Sequence, residues 1–201
     1  MFYHIKGELE LLGVNFAVIE AGGVGYRLFV SDNTRTALAR IGTGKTAKLL
    51  THLSVRDDGV ELFGFYTPEE LNVFRLLITV SGVGPKVAMA VLSYMTPEKL
   101  AVAVSSEDKK SISKAPGVGP KTAARIILEL KDKLKAETAG EGEGENTAGD
   151  IASVPSDNSE AAVEALRVLG FSRGDALRAI AGCEPGAGLE DIIRFALKKL
   201  N

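Results

Sequence analysis

Gly82-Val83-Gly84-Pro85-Lys86 returns 35 residues later as Gly117-Val118-Gly119-Pro120-Lys121. The match extends beyond the lysines: Ala88 aligns with Ala123, and apolar Val91 and Leu92 align with Ile126 and Ile127. Two glycines let a backbone turn with positive φ and let a ligand approach closely. Proline suits the first turn of a helix, where its missing N–H removes no helical bond. The free N–H groups of that turn and the positive end of the helix dipole then favour an anion. Each stretch therefore predicts a tight turn opening a helix, with Lys86 or Lys121 adding a full charge beside it.

One such stretch alone reads equally well as a plain connection between helices. Two copies with the same Pro-Lys continuation favour phosphate binding, in the helix-hairpin-helix pattern that grips a nucleic-acid backbone without reading bases. The candidate contacts are the backbone of Gly82, Val83, Gly84, Gly117, Val118 and Gly119. The side chains of Lys86, Lys121 and Arg125 join them.

The charge distribution agrees with this reading. The chain has 201 residues and a net charge of −2, which by itself does not suggest a nucleic-acid partner. Residues 65–136, which hold both copies, carry 11 basic and 7 acidic residues, whereas 137–159 carry 6 acidic and none basic. Residues 1–64 balance at 7 and 7, and 160–201 at 6 and 6. The basic excess thus sits where phosphate binding is expected. No run of 18 apolar residues and no basic-then-apolar leader is present, so neither a membrane span nor a signal peptide is expected. A lone cysteine, Cys183, fits a reducing cytoplasm, and with two histidines it offers no dedicated zinc site. No cofactor is expected.

Residues 1–65 read as β. Alternating runs over 3–9, 14–19 and 26–30 are followed by a polar connection over 31–40 with one helical turn. Strands over 47–55 and 60–65 follow, joined by a turn at Asp58-Gly59. Five short strands with glycine-rich turns predict a Greek-key barrel of the OB type. Gly42-Thr43-Gly44-Lys45-Thr46 resembles the end of a nucleotide loop, but Ala39 stands where such a loop needs glycine. Gly23-Val24-Gly25 lacks the third glycine of a dinucleotide fingerprint. Arg56-Asp57-Asp58 is a solvated turn in the simplest reading. On a DNA-binding face its two carboxylates would repel phosphates.

Residues 66–136 read as all-α. Thr67-Pro68-Glu69-Glu70 is a capping box, leading into Leu71, Phe74, Leu77 and Ile78. Helices also start at Thr96-Pro97 and at Ser106-Glu107-Asp108, and the second copy opens a helix over 121–135. Residues 137–158 hold almost no large apolar side chain and predict a flexible acidic linker crossed by few contacts. Residues 159–201 recover helical spacing as three helices with a Leu169-Gly170-Phe171 corner, like a ubiquitin-associated module. Modules of that kind bind protein surfaces. Exposed apolar side chains in the region of Leu169 and Gly170, or on the last helix, are the candidate partner-docking surface, with Phe171 in the core.

Taken in order, the chain resembles the bacterial RuvA family of Holliday-junction proteins over nearly its whole length. The residues that carry the resemblance are Gly22-Gly23-Val24-Gly25-Tyr26, Arg56-Asp57-Asp58, Leu62-Phe63-Gly64-Phe65 and both GVGPK copies with their spacing. The resemblance implies a multidomain α+β protein: an OB-fold barrel (1–65), a tandem helix-hairpin-helix domain (66–136), a linker (137–158) and a three-helix motor-docking domain (159–201). It implies a non-enzymatic homotetramer, with tetramer against octamer left open, that holds four-way junction DNA open. Asp57 and Asp58 would form its acidic pin. It further implies partnership with a RuvB-like hexameric ATPase and a RuvC-like resolvase, in the cytoplasm. Two other classes remain beside it: a duplex-binding helix-hairpin-helix repair accessory without a motor, and a ubiquitin-binding adaptor resting on the terminal module alone.

Overall fold

A computed structural model describes residues 2–57, 59–140, 157–184 and 186–200, with the backbone alone for 132–140 and 157. The acidic linker therefore lies largely outside the described residues. The chain packs as two units.

The first unit comprises Met1–Thr79, Val83–Thr96 and Ala115–Gly117. Its centre is a closed five-stranded barrel of β1 (His4–Leu12), β2 (Phe16–Ala21), β3 (Val24–Phe29), β4 (Thr46–Arg56) and β5 (Gly59–Phe65). The strand order is β1-β2-β3-β5-β4, closed by the β1–β4 pair. All contacts are antiparallel except β3 with β5. Alternation places Ile5, Leu9, Ala17, Ile19, Leu28, Ala47 and Leu49 inward, where each is buried. Closure leaves the barrel without open sheet edges.

Residues 31–40 depart from the sequence expectation. They form a full helix, α1 (Asp32–Ile41), because Ser31 caps it by accepting from the N–H of Thr34. Polar composition hid it. Leu38 is its one large side chain with no exposed surface, and it plugs the barrel. The nucleotide-loop lookalike is the exit of this helix: Gly42 ends α1 at φ 87° and the chain runs into β4. No strand precedes it, so the structure removes that reading.

Helix α2 (Pro68–Ile78) starts at the predicted capping residue, with Thr67 accepting from the N–H of Glu70. The Glu70 side chain is buried and accepts from the hydroxyls of Ser31 and Thr34. Thr34 in turn accepts from the Tyr66 N–H at 3.0 Å. This buried polar triad fixes α1 against the start of α2, and each member is satisfied. Phe74 packs on Phe65 at 4.8 Å, and on Phe63 and His52 at 5.2 Å. Burial, and then the Arg75 guanidinium, hold the His52 imidazole below its ordinary pKa. Asn33 reaches the end of α3 (Pro85–Tyr94), donating to the carbonyls of Leu92 at 2.6 Å and Met95 at 3.3 Å.

The second unit comprises Val80–Gly82, Pro97–Lys114 and Val118–Asn201. It holds α4 (Pro97–Ser105), α5 (Lys109–Ile112), α6 (Pro120–Gly140), α7 (Asp157–Val168), α8 (Arg173–Ile180) and α9 (Leu189–Leu200). Three helices fill the C-terminal region, as the spacing predicted. The expectation that few contacts cross the linker is overturned, since α7 and α9 pack on α4. The cause is visible along α7. Ala162, Val163, Ala165, Leu166, Val168 and Leu169 are all buried, more of the helix surface than α8 and α9 alone need.

Candidate nucleic-acid interface

The two repeated turns have the same local construction. Gly82 and Gly117, the first glycine of each copy, sit at φ 84° and 80°. That left-handed backbone costs an ordinary residue about 1–2 kcal/mol, so glycine is required there. The second glycines differ from expectation. Gly84 is extended, with φ −85° and ψ 172°, and Gly119 is not among the positive-φ residues. A Cβ built on Gly84 or on Gly119 would meet nothing within 4 Å. Neither backbone angle nor packing therefore demands glycine at these positions. What the missing side chain leaves is open approach to the helix start.

Each second glycine is followed by proline as the first residue of a helix, α3 or α6. The helical ladder begins on its carbonyl, which accepts from Ala88 N–H at 3.0 Å in one copy and from Ala123 N–H at 2.9 Å in the other. Ser31, Thr67, Asp108 and Ser172 cap α1, α2, α5 and α8 with side-chain oxygens. Gly84 cannot, and α3 has no side-chain cap. Its first N–H groups are left to an outside acceptor. Lys86 and Lys121 are exposed beside these starts, and neither forms an ion pair among the described residues. Val83 and Val118, 4% and 5% exposed, anchor the turns in their cores.

Arg125 makes contacts that its spacing did not reveal. Its Nη1 donates to the Ser81 carbonyl and hydroxyl, both at 3.2 Å. The N–H of Ser81 donates to Glu129 Oε2 at 3.3 Å, and Arg125 Nε lies 4.0 Å from Glu129 Oε1. Arg125 and Glu129 thus clasp the residue before Gly82. Arg125 braces that turn, and its side chain remains 54% exposed. Spacing alone could not have found this, because Ser81 and Glu129 are far apart in sequence. Lys131, late in α6, pairs with Glu107 at 3.0 Å.

The third element is the β4–β5 hairpin. Arg56 pairs with Gly59, so its connection is Asp57-Asp58, not the predicted Asp58-Gly59. The structure makes Gly59 the first residue of β5. Asp57 is exposed; Asp58 lies outside the described residues. Arg56 is held by Glu61 at 3.5 Å and Ser54 at 3.4 Å. Val55 and Val60, opposite each other in the register, are 68% and 66% exposed.

On the terminal module, Gly170 takes φ 95° and the Phe171 N–H donates back to the Leu166 carbonyl at 3.2 Å, closing α7 in a Schellman-type turn. Leu169 has no exposed surface. It is therefore core, which corrects its reading as a docking residue; Gly170 is exposed. In the same module Leu177 on α8 is 46% exposed.

Among the described residues no group of three His, Cys, Asp or Glu side chains could hold a metal ion. No single helix there is long and apolar enough to cross a membrane. Three family profiles match the chain: "RuvA N terminal domain" over residues 1–64, "SAM-like Helix-hairpin-helix tandem" over 74–132, and "RuvA, C-terminal domain" over 157–201. Among similar proteins, one from Acetivibrio thermocellus is 45% identical over 201 residues, covering 100% of this chain and 98% of the relative. One from Symbiobacterium thermophilum is 44% identical, with the same coverage of both chains. One from Clostridium perfringens is 38% identical, covering 100% of this chain and 99% of the relative. All three bear the name "Holliday junction branch migration complex subunit RuvA".

Proposed function

The chain belongs to the RuvA family, and from that premise we propose that it is the junction-binding subunit of a branch migration complex. It is not an enzyme; it presents DNA to a motor. The observation that carries the reading is the pair of second glycines. Gly84 and Gly119 have ordinary backbone angles and open space where a side chain would go. A phosphate oxygen can therefore reach the N–H groups at the start of α3 and α6, with Lys86 and Lys121 beside it. Such contacts hold the backbone of any sequence.

Asp57 and Asp58 supply the preference for a junction. A carboxylate about 6 Å from a phosphate is repelled by roughly 0.7 kcal/mol in water and about 3 kcal/mol at an intermediate dielectric. Continuous duplex lying across such a tip meets this penalty. A four-way junction avoids it, because its strands part around the centre. The assembly is a homotetramer in the cytoplasm, with its partners a RuvB-like hexameric ATPase and a RuvC-like resolvase. The motor docks on the terminal module, around Gly170 and the exposed Leu177 rather than Leu169.

A gel-shift comparison of a four-way junction with linear duplex of equal length tests the reading. Preferential junction binding is expected. Asp57→Asn with Asp58→Asn should tighten duplex binding and narrow the ratio, and an unchanged ratio returns the tip to a solvated turn. Removing the residues after Gly149 should abolish stimulation of the motor ATPase, and junction binding should persist because both repeated turns lie before the cut. Equal binding of junction and duplex by the intact chain would favour a general duplex-binding accessory.

A further inference from the structure

The β4–β5 hairpin has two unlike faces. Strand alternation and the register put Ser54, Arg56 and Glu61 on one side, and Leu53, Val55, Val60 and Leu62 on the other. The first side is closed on itself, with Arg56 bonded to Glu61 and Ser54. The second side is apolar throughout. Leu53 and Leu62 are half-buried near the barrel, and Val55 and Val60 stand 68% and 66% exposed next to the tip. Single exposed apolar residues are ordinary. Two valines in direct register on a projecting hairpin form a continuous patch, where soluble proteins usually place charge.

We propose that this valine pair abuts the base pairs that end at the branch point of a junction. The proposal rests on the junction-binding reading, and charge selects the occupant. The carboxylate at Asp57, and that of Asp58 in sequence, turn the phosphate backbone away from the tip. Arg56, the one cation at the tip, is engaged on the opposite face. Next to the valines only the uncharged part of a nucleic acid is tolerated, and that is the base pair exposed where two arms part. Apolar side chains set against a base step are a known means of unstacking it. The hairpin then divides two tasks: its acidic end repels phosphates, and its valine face supports opened bases.

The test uses the full chain and a synthetic four-way junction with 2-aminopurine in the branch-point pairs. Wild type is expected to brighten the probe as the bases unstack. Val55→Thr with Val60→Thr keeps the β-branched shape and so the strands. It is expected to lose at least about half of the fluorescence rise, with the junction dissociation constant changed by less than about threefold, since phosphate contacts dominate affinity. Val60→Thr alone serves if the double variant loses its fold. Asp57→Asn with Asp58→Asn should narrow the junction-to-duplex preference and, because the backbone is then no longer turned away from the tip, lower the rise as well. An unaltered rise in the valine variants would overturn the proposal. So would a valine-dependent change in particle mass by light scattering without DNA, which would make the pair a contact between copies. If wild type shows no junction preference, the junction reading itself fails, and the probe signal is then moot.

Discussion

The two GVGPK copies are alike in sequence and in backbone, yet they are held differently. Position 81 before the first copy is serine, and its N–H, carbonyl and hydroxyl all bond to Arg125 and Glu129 of α6. The equivalent position before the second copy is Pro116. Proline has no N–H to satisfy and carries a fixed φ, so that turn enters its glycine already constrained. One turn is stiffened by a tertiary clasp and the other by covalent structure. Local sequence thus decides the shape of a turn, while the support for that shape can come from anywhere in the chain.

The comparison can be tested by graded substitutions. The largest effect is expected from Lys86→Glu with Lys121→Glu. Reversing both charges should weaken junction and duplex alike by on the order of a hundredfold or more at moderate salt. If each of four subunits holds about two phosphates, the log–log salt slope of the wild type should lie near about −7. A wild-type slope near about −1 would take the turns out of the interface.

Next come the second glycines. Gly84→Ala or Gly119→Ala should leave the urea midpoint almost unmoved, because neither position is strained or crowded. Each should nonetheless cut DNA affinity by about tenfold, since a methyl group would stand between phosphate and backbone and a charged hydrogen bond is worth roughly 1.5–3 kcal/mol. Equal affinity in both variants would mean that the open space has no ligand. The first glycines reverse the pattern: Gly82→Ala and Gly117→Ala should each lower unfolding stability by about 1–2 kcal/mol.

Arg125→Gln addresses the asymmetry itself. It should speed amide exchange around Ser81 and leave the turn after Pro116 unchanged, at a cost of about 0.5–1.5 kcal/mol. Equal loosening of both turns would deny the clasp its local role. The smallest effect concerns Asp108, which caps the short helix α5. The hydroxyl and then the N–H of Ser111 hold its carboxyl below the usual value. A lowered folded pKa means the cap stabilises above the unfolded value of about 3.9 and fades as pH falls through the folded one. Asp108→Asn should therefore flatten the stability profile slightly below about pH 4, read from urea midpoints.

Much of this molecule was legible along the chain. Alternation in the barrel strands assigns Ile5, Leu9, Ile19 and Leu49 inward by period, although β1 shifts register between Leu9 and Leu11 and Phe63, Gly64 and Phe65 are all buried. Thr67-Pro68-Glu69-Glu70 announced α2 through local capping chemistry. The helix α1 was not legible, because its composition is polar. Its stability comes from the Ser31 cap, the Leu38 plug and the buried carboxylate of Glu70, more than thirty residues onward. The hairpin turn was displaced by one residue, since Asp-Gly is a strong local signal that strand register overrode. Leu169 stood at a conspicuous corner, yet the packing of α7 against α4, α8 and α9 left it no surface.

By itself, the sequence determined which residues turn, cap and alternate, and so the repeated glycine turns, the closed barrel and the three terminal helices. These depend on φ, hydrogen-bond donors and side-chain period, all properties of a few adjacent residues. Only the tertiary structure decided that Gly84 and Gly119 are free of strain and crowding, that Arg125 braces a turn, and that Val55 and Val60 stand exposed as a pair. Those are relations between residues far apart in the chain, and burial and hydrogen-bond satisfaction settle them only when the chain has folded.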